Sequence, residues 1–155
     1  MRRVCLLDID GVLNFASYGE DTYYDKHCGD EVALDKDCVS NLLKLLELFS
    51  DLKIVWSTDW RFVEDEWWRR WKNPVKHLEA TCPLLKSRVI GKTPKMMSSS
   101  HCHEVKWWLD QNASSNELDG YVVIDDLKFP EPWFGIEKHI VYTDPCNGFT
   151  KENLQ

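Results

Sequence analysis

Short apolar segments alternate with amphipathic stretches along this chain of 155 residues, and this alternation limits the possible fold more than any other feature of the sequence. Apolar runs predict strands, the third of them weak, at residues 4–9, 53–56, 87–90, 121–124 and 139–142. Strands that alternate with helices form parallel sheets with helices on both faces. The sequence therefore predicts an α/β protein with a central, mainly parallel sheet.

The segments between these strands predict helices. Helices are predicted at residues 39–49, 63–71, 75–80 and 104–109. Asp35 or Asp37 precedes the first helix as its capping residue, and the serine run 98–100 caps the last one. Pro74 separates the second helix from the third. Residues 15–34, rich in acidic residues and containing two glycines, predict a loop or a small hairpin.

Composition excludes several classes of protein. The net charge of −7 and the pI of about 5.2 argue against a long nucleic-acid groove, although a local site can still bind one phosphate. No apolar run reaches the roughly 18–20 residues of a membrane span. Asp8 and Asp10 interrupt the N-terminal apolar run and exclude a signal-peptide core. The six scattered cysteines predict reduced thiols. We expect a cytoplasmic protein with one domain, residues 1–155.

Reactive side chains stand at the ends of three predicted strands. They are Asp8 and Asp10 after the first strand, Ser57 and Thr58 after the second, and Asp125 and Asp126 after the fourth. In open parallel sheets, ligands bind at the carboxyl ends of the strands. Either acidic pair alone would favour a turn or a solvated loop. Together, with a hydroxyl on the strand between them, they favour a catalytic site.

These residues carry a resemblance to a known family. Asp8-Ile9-Asp10-Gly11-Val12-Leu13-Asn14 resembles the first motif of the haloacid dehalogenase (HAD) superfamily, Ser57 its second motif and Asp125-Asp126 its acidic fourth motif. The resemblance narrows to the compact HAD domain of bacterial and phage RNA-repair ("Swiss army knife") proteins through residues 57–61, 90–94, 104–109 and 143–150. It implies a Rossmann-like three-layer fold.

The resemblance also implies roles for the residues at the strand ends. Asp8 would be the nucleophile that takes the phosphoryl group. Asp10 would protonate the leaving oxygen and then activate water, and Ser57 would donate a hydrogen bond to the phosphoryl group. Mg²⁺ would be held by oxygen ligands from Asp8, Asp10, Asp125 and Asp126. Gly11 and Thr58 would contact the substrate.

The basic third motif is the point where this sequence departs from the family. Lys92 and Lys95 both precede the predicted helix that should carry the motif, and Lys95 lies closer to its start. The subfamily often has an arginine at the position of His101. A neutral imidazole cannot replace a guanidinium, so either a lysine takes the role or activity is weakened. Two solvated lysines remain the alternative.

Other basic and aromatic residues leave two interpretations each. Arg61 either contacts substrate phosphate or pairs with Glu64 or Asp65. Trp60, Trp133 and the basic and aromatic segment 67–72 either stack nucleic-acid bases or pack in the core. The His101-Cys102-His103 run, with His27 and Cys28 elsewhere in the chain, does not predict a zinc site. Adjacent helical residues point in different directions, and the chain has no Cys-x-x-Cys pair.

The function expected from this resemblance is Mg²⁺-dependent hydrolysis of a phosphomonoester through an aspartyl-phosphate. Residues 15–34 and 61–86 are too short for a large cap domain, so the cap is minimal or absent and a bulky phosphorylated substrate, such as a nucleic-acid end, would fit. The alternatives are a phosphatase of nucleotides or small metabolites, and a degenerate HAD-like binding domain in a repair or phage complex. We expect no membrane partner, and the sequence does not predict an oligomeric state.

Overall fold

Five parallel strands form one sheet in the computed structural model, which describes residues 2–15, 32, 34–62, 73–96, 100–113, 118–127 and 135–155. The strands are β1 (Arg2–Leu7), β2 (Leu52–Trp56), β3 (Val89–Lys92), β4 (Leu118–Asp125) and β5 (Ile140–Tyr142). Their order is β3-β2-β1-β4-β5, and each neighbouring pair is parallel. The predicted α/β class with a central parallel sheet is confirmed.

Strand β1 lies at the centre of the sheet and is buried on both faces. Cys5 and Leu7 pack in one apolar cluster, while Val4 and Leu6 pack in a second cluster on the opposite face. Full burial of one such aliphatic side chain stabilises the fold by about 1.5–3 kcal/mol. The continuous apolar run after Arg3 is therefore explained by a strand with no face in water.

Helices cover both faces of the sheet. They are α1 (Lys36–Leu48), α2 (Pro74–Thr81), α3 (Pro83–Arg88) and α4 (His101–Ala113). Leu42 and Leu46 of α1 pack on the same side as α2 and α3, and Val105 of α4 packs on the other side. None of the helices in the described part of the chain has the length and apolar character needed to cross a bilayer.

Capping residues set where the helices begin. Of the two predicted caps of α1, Asp35 is the one used: its Oδ1 accepts hydrogen bonds from the backbone N–H of Asp37 and of Cys38, both at 2.9 Å. Pro74 is the first residue of α2, where its missing N–H costs nothing, and Asn73 caps that helix. Pro74 therefore starts α2, whereas the sequence predicted it only as the break before that helix.

Several predicted boundaries are wrong. Residues 83–88 form α3, so the third strand begins at Val89 and not at residue 87, and it continues through Gly91. A proline at the start of α3 favours a helix, and β3 is a short edge strand with a weak apolar pattern. Phe49 ends α1 and is 39% exposed, so it does not belong to the buried stripe. The predicted helix 63–71 lies outside the described residues.

The C-terminal segment returns to the sheet beside the loop that follows β1. The Phe149 N–H donates to the Val12 carbonyl at 2.7 Å, and Asn41 Nδ2 donates to the Phe149 carbonyl at 3.0 Å. Gly148 has a φ of +63°, and a Cβ there would lie 2.6 Å from Cys38 Sγ and 2.9 Å from the Val12 oxygen. This close approach requires glycine.

We expect Gly148→Ala to lower the free energy of unfolding by roughly 1–3 kcal/mol, because alanine is strained at positive φ and its Cβ meets backbone. Gly120→Ala is the matched control: Gly120 lies in β4, and a Cβ there has no neighbour within 4 Å. Urea denaturation of both variants measures the difference. Equal losses would contradict the role given to Gly148.

Candidate active site

The carboxyl edge of the sheet brings Asp8, Ser57 and Asp125 to one level. Leu7 pairs with Trp56 on one side and with Ile124 on the other, so the next residue of each strand lies at the same height. Hydrogen bonds continue past the strand ends: the Ser57 N–H donates to the Leu7 carbonyl at 2.8 Å and the Asp8 N–H to the Ile124 carbonyl at 3.1 Å. All three side chains are buried or nearly so.

His101 completes this cluster from above the sheet edge. As the first residue of α4, it places Nε2 3.0 Å from Asp125 Oδ2 and 3.0 Å from Ser57 Oγ. One ligand atom each from Asp8, His101 and Asp125 lies within 4.8 Å of the other two. The three side chains thus bring their potential ligand atoms close together at the sheet edge.

Burial and like charge make this edge electrostatically costly. Burial, and then the charge of Asp125, raises the pKa of Asp8 well above its usual range. The same two causes raise the pKa of Asp126 to about 6. Burial opposes the charged imidazole, yet the contact with Asp125 and the charges of Asp125 and Asp8 outweigh it and raise the pKa of His101. Positive charge at this edge is therefore favourable.

A metal fits the donor set that the structure presents. Asp125 Oδ1 accepts from the Leu127 N–H at 2.8 Å. The buried Oδ2 lies 3.0 Å from His101 Nε2, and none of the described residues gives it a hydrogen bond. A buried carboxylate oxygen without a donor is unfavourable unless a cation faces it. The carboxylates of Asp8 and Asp125 supply the oxygen ligands that a hard divalent cation such as Mg²⁺ prefers.

Asp10 lies beside the cluster with both carboxylate oxygens hydrogen-bonded. Asn14 Nδ2 donates to Oδ1 at 2.8 Å, and Trp60 Nε1 donates to Oδ2 at 2.9 Å. The sequence motifs include Asn14 without predicting a role for it, and Trp60 is predicted only to stack nucleic-acid bases or to pack in the core. The Trp60 contact joins residues 50 positions apart, so sequence spacing gives no sign of it.

Gly11 and Thr58 both make scaffold contacts. A Cβ on Gly11, whose φ is +70°, would lie 2.3 Å from Asp126 Oδ2, so the missing side chain makes room for that carboxylate. The Gly11 carbonyl accepts from Thr143 Oγ1 at 2.8 Å. Thr58 is 1% exposed, and its Oγ1 accepts from the Trp60 N–H at 3.4 Å. Their predicted contacts with substrate stay predictions.

Arg61 does not have the surroundings of a substrate-binding residue. Its side chain is fully buried, Nε donates to the Thr93 carbonyl at 3.0 Å, and Nη2 donates to the Pro94 carbonyl at 3.0 Å. Nη1 donates to the Thr58 carbonyl, and Nη2 also pairs with Glu104. These protein groups use the donors that a phosphate would need. The predicted partners, residues 64 and 65, lie outside the described residues, and the observed partner is Glu104.

The two lysines proposed for the third motif lie elsewhere. Lys92 Nζ donates to the Arg61 carbonyl at 3.2 Å and lies 4.8 Å from the centre of the Phe62 ring. Lys95 Nζ lies 5.9 Å from the same ring. These contacts turn both ammonium groups toward Phe62, whereas the α4 start carries His101 to the acidic edge. The assignment to a lysine therefore does not agree with this geometry. Residues 27, 28, 67–72 and 133 lie outside the described residues.

The fold and this edge define a class of protein. A parallel α/β sheet whose central strand leads into Asp-x-Asp-Gly, with a hydroxyl and an acidic pair on the flanking strands, is the arrangement of a HAD-type domain. Residues 4–154 match the family model described as the HAD domain in Swiss Army Knife RNA repair proteins, and the chain belongs to that family. The predicted resemblance is confirmed, and the chain is a HAD-type hydrolase domain by family. Comparisons with curated proteins and with solved structures give no match.

We expect Glu104→Gln to lower the free energy of unfolding by roughly 3–5 kcal/mol, because it leaves the buried Arg61 guanidinium without a counter-charge. Asp51→Asn is the control: it removes the partner of Arg3 in an exposed pair and should change stability far less. Chemical denaturation compares the two. Equal losses would contradict a central role for the buried pair.

Proposed function

We propose that this chain is a Mg²⁺-dependent phosphomonoester hydrolase that works through an aspartyl-phosphate on Asp8. The observation that carries the proposal is the convergence of Asp8, Ser57 and Asp125 at one buried edge, where none of the described residues gives Asp125 Oδ2 a hydrogen bond. Membership of a HAD family supports the reaction class. The resemblance of the sequence to the HAD superfamily implies the same mechanism.

Asp8 is the nucleophile in this proposal. Its Oδ1 accepts from the Ile9 N–H at 2.7 Å, which orients the carboxylate. Attack on phosphorus forms the Asp8–phosphorus bond while the bond from phosphorus to the leaving oxygen breaks, and Ser57 Oγ donates to a phosphoryl oxygen. Asp8 and Asp125 would hold Mg²⁺, with Asp10 and Asp126 beside them, and the bound cation supplies the charge neutralisation that an anionic nucleophile and an anionic substrate need.

Asp10 transfers protons in both halves of the reaction. It gives its proton to the leaving oxygen as the first bond breaks. It then takes a proton from water as the water oxygen attacks phosphorus, which releases inorganic phosphate and restores the Asp8 carboxylate. Its place beside Asp8, with Oδ2 held by the indole of Trp60, fits a group that acts on both sides of the same intermediate.

His101 takes the place of the third-motif cation in this proposal. Its Nε2 lies near Asp125 and Ser57, and the contact with Asp125 outweighs the effect of burial and raises the pKa of His101, whereas Lys92 and Lys95 contact the Phe62 ring. This position lets the imidazole offset the charge of the two carboxylates and hold the Ser57 hydroxyl. This chain thus has an imidazole in place of the arginine that the subfamily often carries at this position.

A terminal phosphate on a nucleic acid is the substrate class that we propose. The family description names RNA repair proteins, and the segments between β1 and α1 and between β2 and α2 are too short for a large cap domain. The net charge of −7 favours a contact limited to the end of the strand over a long backbone contact. The alternative substrate class is a small metabolite such as a nucleotide.

We expect phosphate release from a 3′-phosphorylated oligonucleotide and from an aryl phosphate in the presence of Mg²⁺, and its loss with chelator. Asp8→Asn should abolish release, since an amide cannot form the acyl phosphate.

Mg²⁺ with beryllium fluoride should raise the melting temperature of the wild type and not of Asp8→Asn. A higher kcat/KM for nucleotides than for the oligonucleotide would favour the metabolite role. A folded protein that binds Mg²⁺ and releases no phosphate would indicate a binding domain.

We expect His101→Gln to lower kcat by roughly ten- to a hundredfold, because it removes a cation and a donor from the site. His101→Lys should keep more activity than His101→Gln, since it restores positive charge. His103→Gln is the matched control on the same helix: His103 contacts Ser100 rather than the acidic edge. Steady-state kinetics on one substrate compares the three. Equal kcat for His101→Gln and the wild type would exclude the proposed role.

A further inference from the structure

The carboxylate of Asp10 is held at both oxygens by neutral N–H donors. Asn14 Nδ2 lies 2.8 Å from Oδ1 and Trp60 Nε1 lies 2.9 Å from Oδ2. An aspartate side chain rotates easily about its last torsion, whose profile is broad. Two donors on opposite oxygens oppose that rotation and fix the plane of the carboxylate.

The orientation of the Asn14 amide follows from its second hydrogen bond. Asn14 Oδ1 accepts from the Gly11 N–H at 2.9 Å, and this backbone group can only donate. The amide nitrogen must then face Asp10. Asn14 is 1% exposed, so water does not compete for this arrangement. The loop after β1 therefore carries its own donor for the Asp10 carboxylate.

The indole of Trp60 is fixed from the other side. The backbone of Trp60 makes two hydrogen bonds: its carbonyl accepts from Asn73 Nδ2 at 2.8 Å, and its amide N–H donates to Thr58 Oγ1. The indole ring packs in the apolar cluster of α1 and α2. The residue is 7% exposed. A ring held in this way cannot follow Asp10 if the carboxylate turns. The hydrogen bond therefore restrains Asp10 relative to the sheet.

We propose that Trp60 and Asn14 are positioning residues that aim the Asp10 carboxyl at the leaving oxygen, and that they matter most for substrates whose leaving group must be protonated. Each carboxylate oxygen has two lone pairs, so one remains for proton transfer when the other accepts a hydrogen bond. Proton transfer depends on a fixed donor–acceptor geometry. This inference rests on the proposed function, because it needs Asp10 to act as the general acid.

The test compares kcat/KM for two phosphomonoesters of similar size. Benzyl phosphate releases an alkoxide, which needs the proton, whereas 4-nitrophenyl phosphate releases a stable phenolate. For Trp60→Phe we expect kcat/KM on benzyl phosphate to fall by roughly tenfold or more and on 4-nitrophenyl phosphate by about threefold at most. The ratio kcat/KM covers the steps up to the aspartyl-phosphate, so the later use of Asp10 as a base does not enter.

Trp56→Phe is the matched control. Trp56 is also buried and also donates from Nε1, but its partner is Glu79 at 2.7 Å, away from Asp10. The Trp56→Phe variant loses the same indole N–H and the same ring volume as Trp60→Phe. It should leave the ratio of kcat/KM between the two substrates unchanged. Asn14→Asp is the second variant, for use if Trp60→Phe does not fold: it keeps the acceptor for Gly11 and replaces the donor facing Asp10 with an acceptor.

Three outcomes decide the inference. A selective loss on benzyl phosphate in Trp60→Phe or Asn14→Asp, absent in Trp56→Phe, supports it. Equal losses on both substrates, in variants that keep the melting temperature of the wild type, would overturn the positioning role while the phosphatase function stands. A wild type that hydrolyses neither ester would overturn the proposed function, and the inference with it.

Discussion

The buried ion pair between Arg61 and Glu104 is the interaction on which the site depends. The guanidinium donates to the turn after β2, to the loop after β3 and to a carboxylate on α4, so three segments meet at one side chain. Glu104 also accepts from the Met96 N–H at 2.9 Å. Because Glu104 lies one turn after His101, the pair fixes the start of α4 over the sheet edge. The position of the imidazole against Asp125 follows from this anchor.

The site concentrates acidic groups in a buried place, and the fold must balance that cost. Asp8 and Asp125 face each other at the ends of β1 and β4, which are paired by backbone hydrogen bonds and cannot move apart without breaking the sheet. The hydrogen-bonded spacing of the two strands thus sets the distance between the carboxylates. A cation at this edge would offset their repulsion. The positive charge of a protonated His101 does the same, and the raised pKa of His101 favours that protonated form. The repulsion is a property of the sheet itself.

The sequence predicted the fold class and the acidic edge, but not the contacts that organise the edge. Apolar runs followed by Asp8, Ser57 and Asp125 were visible because each is a local pattern, and the parallel sheet aligns strand ends without further information. Glu104 lies 43 positions from Arg61, and Trp60 lies 50 positions from Asp10. Such pairs depend on how α4 and the turn after β2 dock, and periodicity contains no information about docking.

The choice of partners for each carboxylate separates two physical tasks. Asp8 and Asp125 lie near a titratable imidazole, which lowers the cost of holding two anions together. Asp10 is held by an indole and an amide, which orient a carboxyl group in either protonation state because they carry no charge. A cation in their place would form a stronger bond to the ionised form and oppose the uptake of a proton. Neutral donors are therefore suited to a carboxyl group that, in the proposed mechanism, both gives and takes a proton.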